Sequence, residues 1–156
     1  MNIYTVSFFG HREISNPLDV DKALVEEISS LIRSKDYVEF LVGRNGDFDI
    51  MVASAVRRAQ EGLDYGNSSL VLVLPYMTKE YRENTAAFEK YYNEIEICQQ
   101  SADGHFKGAF QVRNRIMVDR SDLIICCIEH DSGGAYQTIQ YAKKKNKTVK
   151  NLSTPI

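Results

Sequence analysis

The sequence predicts an α/β domain built on a doubly wound, mainly parallel sheet of about five strands with flanking helices. Three observations lead there. Short apolar runs alternate with stretches of helical periodicity, the spacing that crossover helices require. Residues 70–74 and 123–128 are almost continuously apolar, as strands covered on both faces are. Glycines follow three of the predicted strands.

The elements follow in order. Residues 3–9 form a β-rich run ending in Gly10-His11-Arg12, and Asn16-Pro17 marks a turn or helix entry. Over residues 18–32, Leu24, Val25, Ile28, Leu31 and Ile32 recur at helical spacing. Residues 38–42 are a short strand, and residues 43–49 are its loop. Residues 50–60 read as a helix with Ala53, Ala55 and Ala59 on a packing face. The strand over 70–74 ends at Pro75. Residues 79–96, rich in Tyr, Glu and Asn, read as a helix or a partly irregular excursion. Gly104 and Gly108 break the next stretch. A helix over 110–120 carries Val112, Ile116 and Met117 and runs into the strand over 123–128. Gly133-Gly134 opens a helix reaching about Lys145, and residues 148–152 form the last short strand. With no repeat, linker or low-complexity tract, residues 1–156 read as one Rossmann-like domain.

Composition bounds the function. A hydrophobic share of 44% and a charged share of 26% are those of an ordinary globular protein. A formal net charge of −2 gives no strong nucleic-acid signal. The cluster Lys143-Lys144-Lys145-Asn146-Lys147 reads as cations suited to a helix C-terminus. Cys98, Cys126 and Cys127 are odd in number and contain no C-x-x-C pair, so they read as small packing residues. No membrane span and no signal peptide are legible, and a reducing cytoplasm is the expected compartment. No metal site is expected, since His105 and His130 lack ligand spacing to a Cys or acid.

In open α/β sheets, ligands settle outside the carboxyl ends of the strands. Three strand ends stand out. At Gly10-His11-Arg12, glycine admits a close approach and Arg12 suits a phosphate, though a polar surface loop explains the same residues. At Gly43-x-x-Gly46-x-x-Asp49, Asp49 is placed to cap the next helix, to accept from ribose hydroxyls, or both. At Asp131-Ser132-Gly133-Gly134, a helix start offers free N–H groups to an anion, and Thr138 adds a hydroxyl one turn in. Upstream, Arg113 shares a helical face with Met117, while Arg115 lies about 160° away, so only one of the two arginines can serve a site. His11 suits acid–base work near neutral pH but has no identifiable partner in the sequence.

These pieces together resemble the SLOG superfamily of Rossmann-like proteins. That superfamily also holds the cytokinin-activating LOG phosphoribohydrolases and the DNA-processing protein DprA. The likeness is greatest to its YpsA-like branch. It rests on residues 9–12, residues 43–49, Arg113-Asn114-Arg115-Ile116-Met117 with the run to Leu123, and residues 132–142. It covers the chain except about residues 79–107, whose role it leaves open. The resemblance implies a pocket for a nucleotide or nucleotide-derived, ADP-ribose-like small molecule, with no further cofactor required. Gly10, His11, Arg12, Gly43, Arg44, Gly46, Asp49, Arg113, Ser132, Gly133, Gly134 and Thr138 are the implied contacts.

LOG enzymes carry a catalytic glutamate after their glycine motif, and Gln137 and Gln140 stand in that neighbourhood here. An amide cannot stabilise an oxocarbenium-like state as a carboxylate does. The leading expectation is therefore a binding module that senses or sequesters its ligand. The alternative is a phosphoribohydrolase-type nucleotide hydrolase using Asp49, Glu129 or Asp131 as a rearranged acid. A DNA-processing accessory is the third reading. Tyr76, Tyr81, Phe88, Tyr91 and Tyr92 suit a homodimer interface, a lid over the pocket or plain packing.

Overall fold

Alternation along the strands decides the architecture. In the computed structural model, which describes residues 1–153, strand β1 (Ile3–Gly10) buries Val6 and Phe8 on one face and Phe9 on the other. The chain continues as α1 (Pro17–Ser34), β2 (Tyr37–Val42), α2 (Asp47–Leu63) and β3 (Ser68–Leu74). Two short helices, α3 (Lys79–Glu83) and α4 (Thr85–Tyr91), lead to β4 (Glu94–Ile97). The helix α5 (Gln99–Ala102) then precedes α6 (Ala109–Arg120), β5 (Leu123–Cys127), α7 (Gly134–Lys144) and β6 (Thr148–Asn151). Residues 154–156 of the expected domain lie outside the described residues.

The sheet has six strands in the order β4-β3-β2-β1-β5-β6, and every neighbouring pair is parallel. One face packs Phe8, Phe40, Leu70, Leu72 and Ile125 against Leu24, Ile28, Phe48, Val52 and Val56 of α1 and α2. The opposite face packs Phe9, Leu41, Val71, Val73, Ile124 and Cys126 against Met117 and Val118 of α6 and Ile139 and Ala142 of α7. Helices thus cover both faces, and the expected doubly wound α/β fold is present. The order reverses beside β1, where β2, β3 and β4 lie on one side and β5 and β6 on the other.

The sheet differs from expectation in its sixth strand. Residues 79–96 are neither one helix nor irregular; they hold α3, α4 and the start of β4. The tetrapeptide Glu94-Ile95-Glu96-Ile97 alternates as a strand does, and its charges suit an edge. Asn93 starts the pairing: its N–H donates to the Leu70 carbonyl, and its Oδ1 accepts from the Leu70 N–H at 2.7 Å. Arg120 then spans from Glu96 to Glu39 of β2, at 2.6 and 3.1 Å, and ties the edge strand to the body of the sheet. Phe88 and Tyr92 are buried in the same core as α2, so much of the aromatic excursion is packing.

Among the described residues, no helix is long and apolar enough to cross a membrane. Lys147, beyond the end of α7, donates to the carbonyls of Asp119 and Ser121 at 3.2 and 3.0 Å, so the basic cluster does satisfy a helix C-terminus, that of α6. Cys98, Cys126 and Cys127 are free and buried. Burial pushes the Cys126 and Cys127 thiols up to about 12. The thiolate is the reactive form, so both should resist a disulfide reagent at about pH 8 in the native protein and react promptly in denaturant. Equal reaction rates in the two states would contradict their burial.

Candidate functional site

A cavity of about 540 Å³ opens beyond the carboxyl ends of β1 and β5, which stay paired as far as Gly10 and Cys127. This is the position where a doubly wound sheet leaves a crevice, and the size is that of a small-molecule site. Four chain segments wall it: the β1 end, the β2–α2 loop, the first turns of α6, and the start of α7.

The wall is built around a buried cation. Arg113 is only 2% exposed and is one of the largest fully buried side chains. Its Nη1 donates to the Val73 carbonyl at 2.9 Å and its Nε to Asn114 Oδ1 at 3.0 Å. Nη2 has no protein partner among the described residues, and the side chain borders the cavity. Burial lowers the proton affinity of this guanidinium and the nearby Asp49 carboxylate raises it, but arginine stays charged. Arg115, on the opposite side of α6, is exposed over the Tyr141 ring, as the helical spacing predicts.

Two acids line the cavity, Glu13 and Asp49, and Asp49 is the one the sequence singled out. Its Oδ2 accepts from the Asn45 N–H at 2.8 Å, so it reaches back from the first turn of α2 to the loop before it. The carboxyl therefore stabilises the helix entry and lines the cavity at once. Burial raises its proton affinity, against the opposing effects of the Asn45 N–H and the Arg113 charge.

His11 has a partner that sequence alone does not reveal. Its ring stacks on that of His130, with centroids 3.6 Å apart and planes 9° from parallel. The His130 N–H donates to His11 Nε2 at 3.3 Å, which places the His11 proton on Nδ1. Both rings line the cavity.

The glycines serve the protein's own close packing. A Cβ on Gly10 would lie 2.4 Å from the Phe48 ring, and one on Gly46 would lie 2.6 Å from the Arg12 Cα. At Gly43 the added atom would meet the Arg113 guanidinium at 3.0 Å. Gly133 has φ +93°, the left-handed region that favours glycine, and turns the chain into α7. The N–H groups of that first turn have no intrahelical acceptors, and Gly133, Gly134 and Ala135 line the cavity.

Of the sequence-predicted contacts, Gly10, His11, Arg12, Gly43, Gly46, Asp49, Arg113, Gly133 and Gly134 line one cavity. Three do not. Arg44 turns to Glu80 and Tyr92, at 2.9 and 3.0 Å, and lies over the Phe88 ring. Thr138 is buried behind the wall, donating to the Gly134 carbonyl at 2.9 Å. Ser132 is exposed and bonds His130 Nδ1 at 3.0 Å. Glu129 and Asp131 are also exposed outside the lining, as are Gln137 and Gln140; Glu129 accepts from the Ser15 N–H at 2.9 Å. The cavity adds residues the sequence left without a role: Phe8, Phe9, Glu13, Asn45, Phe110, Gln111, Asn114, Met117, His130 and Ala135. Asn114, adjacent to Arg113 in the motif, was the most legible of them. No group of three or more His, Cys, Asp or Glu is placed to hold a metal among the described residues.

No protein-family model matches the chain, and no curated protein matches it in sequence. Among solved structures, 94% of the chain is similar to 49% of the DNA processing protein A (DprA) chain from Streptococcus pneumoniae, with a TM-score of 0.67 and 17% identity. The chain thus has a Rossmann-like fold of the kind found in DprA and spans about half of that protein's length.

Burial and the His130 ring lower the proton affinity of His11, with Glu129 opposing. A depressed folded pKa means that His11 favours folding above its unfolded value of about 6.5 and loses that contribution as pH falls through the folded value. Urea midpoints should therefore fall more steeply below about pH 6.5 in the wild type than in His11→Phe, which keeps a ring but cannot titrate. Parallel profiles would show that the stacked pair does not govern this range.

Proposed function

We propose that the chain is a binding module for a nucleotide or nucleotide-derived small molecule, held in the cavity between β1 and β5 as a signal to be sensed or sequestered. The observation that carries this reading is the buried Arg113 guanidinium, with Nη2 left to the cavity beside the glycine-led start of α7. A cation that the fold buries needs an anion or acceptor, and a phosphate bearing on a helix N-terminus supplies both kinds of contact. Phe8, Phe9, Phe110 and Met117 give the same cavity an apolar side, which suits the base or sugar of such a ligand. The resemblance to the YpsA-like branch of the SLOG superfamily supports the same reading.

The absence of an acid at Gln137 and Gln140 favours binding over hydrolysis of the LOG type. One observation favours hydrolysis as a second reading: of the three candidate acids, Asp49 alone lines the cavity, and its raised proton affinity suits a general acid. In that case Asp49→Asn keeps ligand binding and abolishes release of base and sugar phosphate, read by chromatography of the incubated ligand. A variant that turns over ligand as well as the wild type removes Asp49 from the chemistry.

The binding reading is tested by titration calorimetry with AMP, ADP-ribose, a cyclic nucleotide and a single-stranded oligonucleotide. We expect one of the three small ligands to bind stoichiometrically and to be recovered intact. Gly134→Asp should lower its affinity at least about tenfold by setting a carboxylate at the anion end, while the helix dipole keeps the fold stable. Binding of the oligonucleotide alone would favour the DNA-processing reading, and binding of none would overturn the proposal.

A further inference from the structure

Arg113 can only donate hydrogen bonds, and this fixes the direction of every bond that follows it. Since Arg113 Nε donates to the Asn114 side chain at 3.0 Å, the contacted atom is the amide oxygen. The Asn114 amide nitrogen is then the one facing Thr138 Oγ1, to which it donates at 3.0 Å. The Thr138 hydroxyl proton is left for the Gly134 carbonyl, at 2.9 Å. At the other end, Arg113 Nη1 donates to Val73 at the end of β3, at 2.9 Å. One directed chain thus runs from β3 through two adjacent residues of α6 into the first turn of α7.

Asn114 is 7% exposed and Thr138 only 1%, so water does not substitute for either partner at low cost. The chain joins two parts of the cavity wall that are apart in sequence: Arg113, and the helix start at Gly133, Gly134 and Ala135. The unpartnered Nη2 of a nearly fully buried arginine that lines the cavity independently points to an anionic occupant.

From this arrangement we infer that Asn114 is a positioning residue: it sets the Arg113 guanidinium and, through Thr138, the α7 N-terminus as one anion-binding unit. The ligand half of this inference rests on the proposed binding function; the coupling of α6 to α7 does not. Removing the amide frees Arg113 Nε and leaves the Thr138 hydroxyl without its donor, so both halves of the unit lose their alignment together.

The test uses the full chain with Asn114→Leu, Thr138→Val and Thr138→Ser, and reads two quantities. The first is amide hydrogen exchange without ligand at Gln137 and Thr138, the first amides of α7 that are bonded within the helix. We expect faster exchange there in Asn114→Leu and Thr138→Val, with Thr138→Ser, which keeps the hydroxyl, near the wild type. The second is the affinity for ADP-ribose and for pyrophosphate by calorimetry. We expect a loss of about tenfold or more in Asn114→Leu and a smaller loss in Thr138→Val. The double variant should be no worse than Asn114→Leu alone, because two members of one chain are not additive. Wild-type exchange at residues 137 and 138 in both Asn114→Leu and Thr138→Val would overturn the coupling. Changed exchange with unchanged affinity would reduce Asn114 to a structural role. Should neither anion bind the wild type, the binding proposal fails while the exchange data still decide the coupling. Should Asn114→Leu not fold, the contrast between Thr138→Val and Thr138→Ser carries the same decision.

Discussion

A guanidinium cannot shed its charge on burial, so a fold that encloses one must bring acceptors to it from whatever elements are near. Arg113 imposes that requirement here. Val73 supplies a carbonyl where β3 ends, Asn114 supplies an amide oxygen from the next position on α6, and Gly43 removes a side chain that would crowd the plane. The Asp49 charge lies close enough to influence it, yet no ion pair joins them among the described residues. The cavity, the loop after β2 and the start of α7 are all arranged around this one group.

The same constraint changes the meaning of the glycines. After a strand, glycine invites the reading that a ligand's phosphates come close to the backbone. Gly10, Gly43 and Gly46 instead admit Phe48, the Arg113 guanidinium and the Arg12 backbone. Protein atoms occupy the space that a Cβ would need. Among the glycines of the cavity wall, Gly133 is the one whose backbone conformation itself favours glycine. A glycine at a strand end therefore reports close packing, and only the folded chain shows with what.

The fold was legible because its signals are local. Apolar runs, helical periods and strand-end glycines each lie within a few residues, and five strands followed from them. The sixth, Glu94–Ile97, has a period-two pattern only four residues long, overshadowed by the polar and aromatic residues around it. The face shared by Arg113 and Met117 was legible for the same reason: it depends only on helix geometry. What could not be read were pairings across the chain. His11 stacks on His130 across 119 positions, and Asn114 reaches Thr138 across 24. Arg44 and Ser132 kept the right neighbourhood but turned to other partners, a choice of rotamer and packing that the sequence does not encode locally.

The strand order has a consequence for how the protein comes into being. β1 is made first, yet its neighbour on the switch-point side is β5, with Val6 opposite Leu123. A polypeptide emerging from the ribosome can pair β1 with β2 and β3 before β5 has emerged. The crevice has only one bank at that stage. It closes when β5 docks and α7 follows, a long-range step of the kind that slows the folding of parallel sheets. The cavity is thus completed late and all at once, and a nascent chain that has not yet made α7 has only part of its wall.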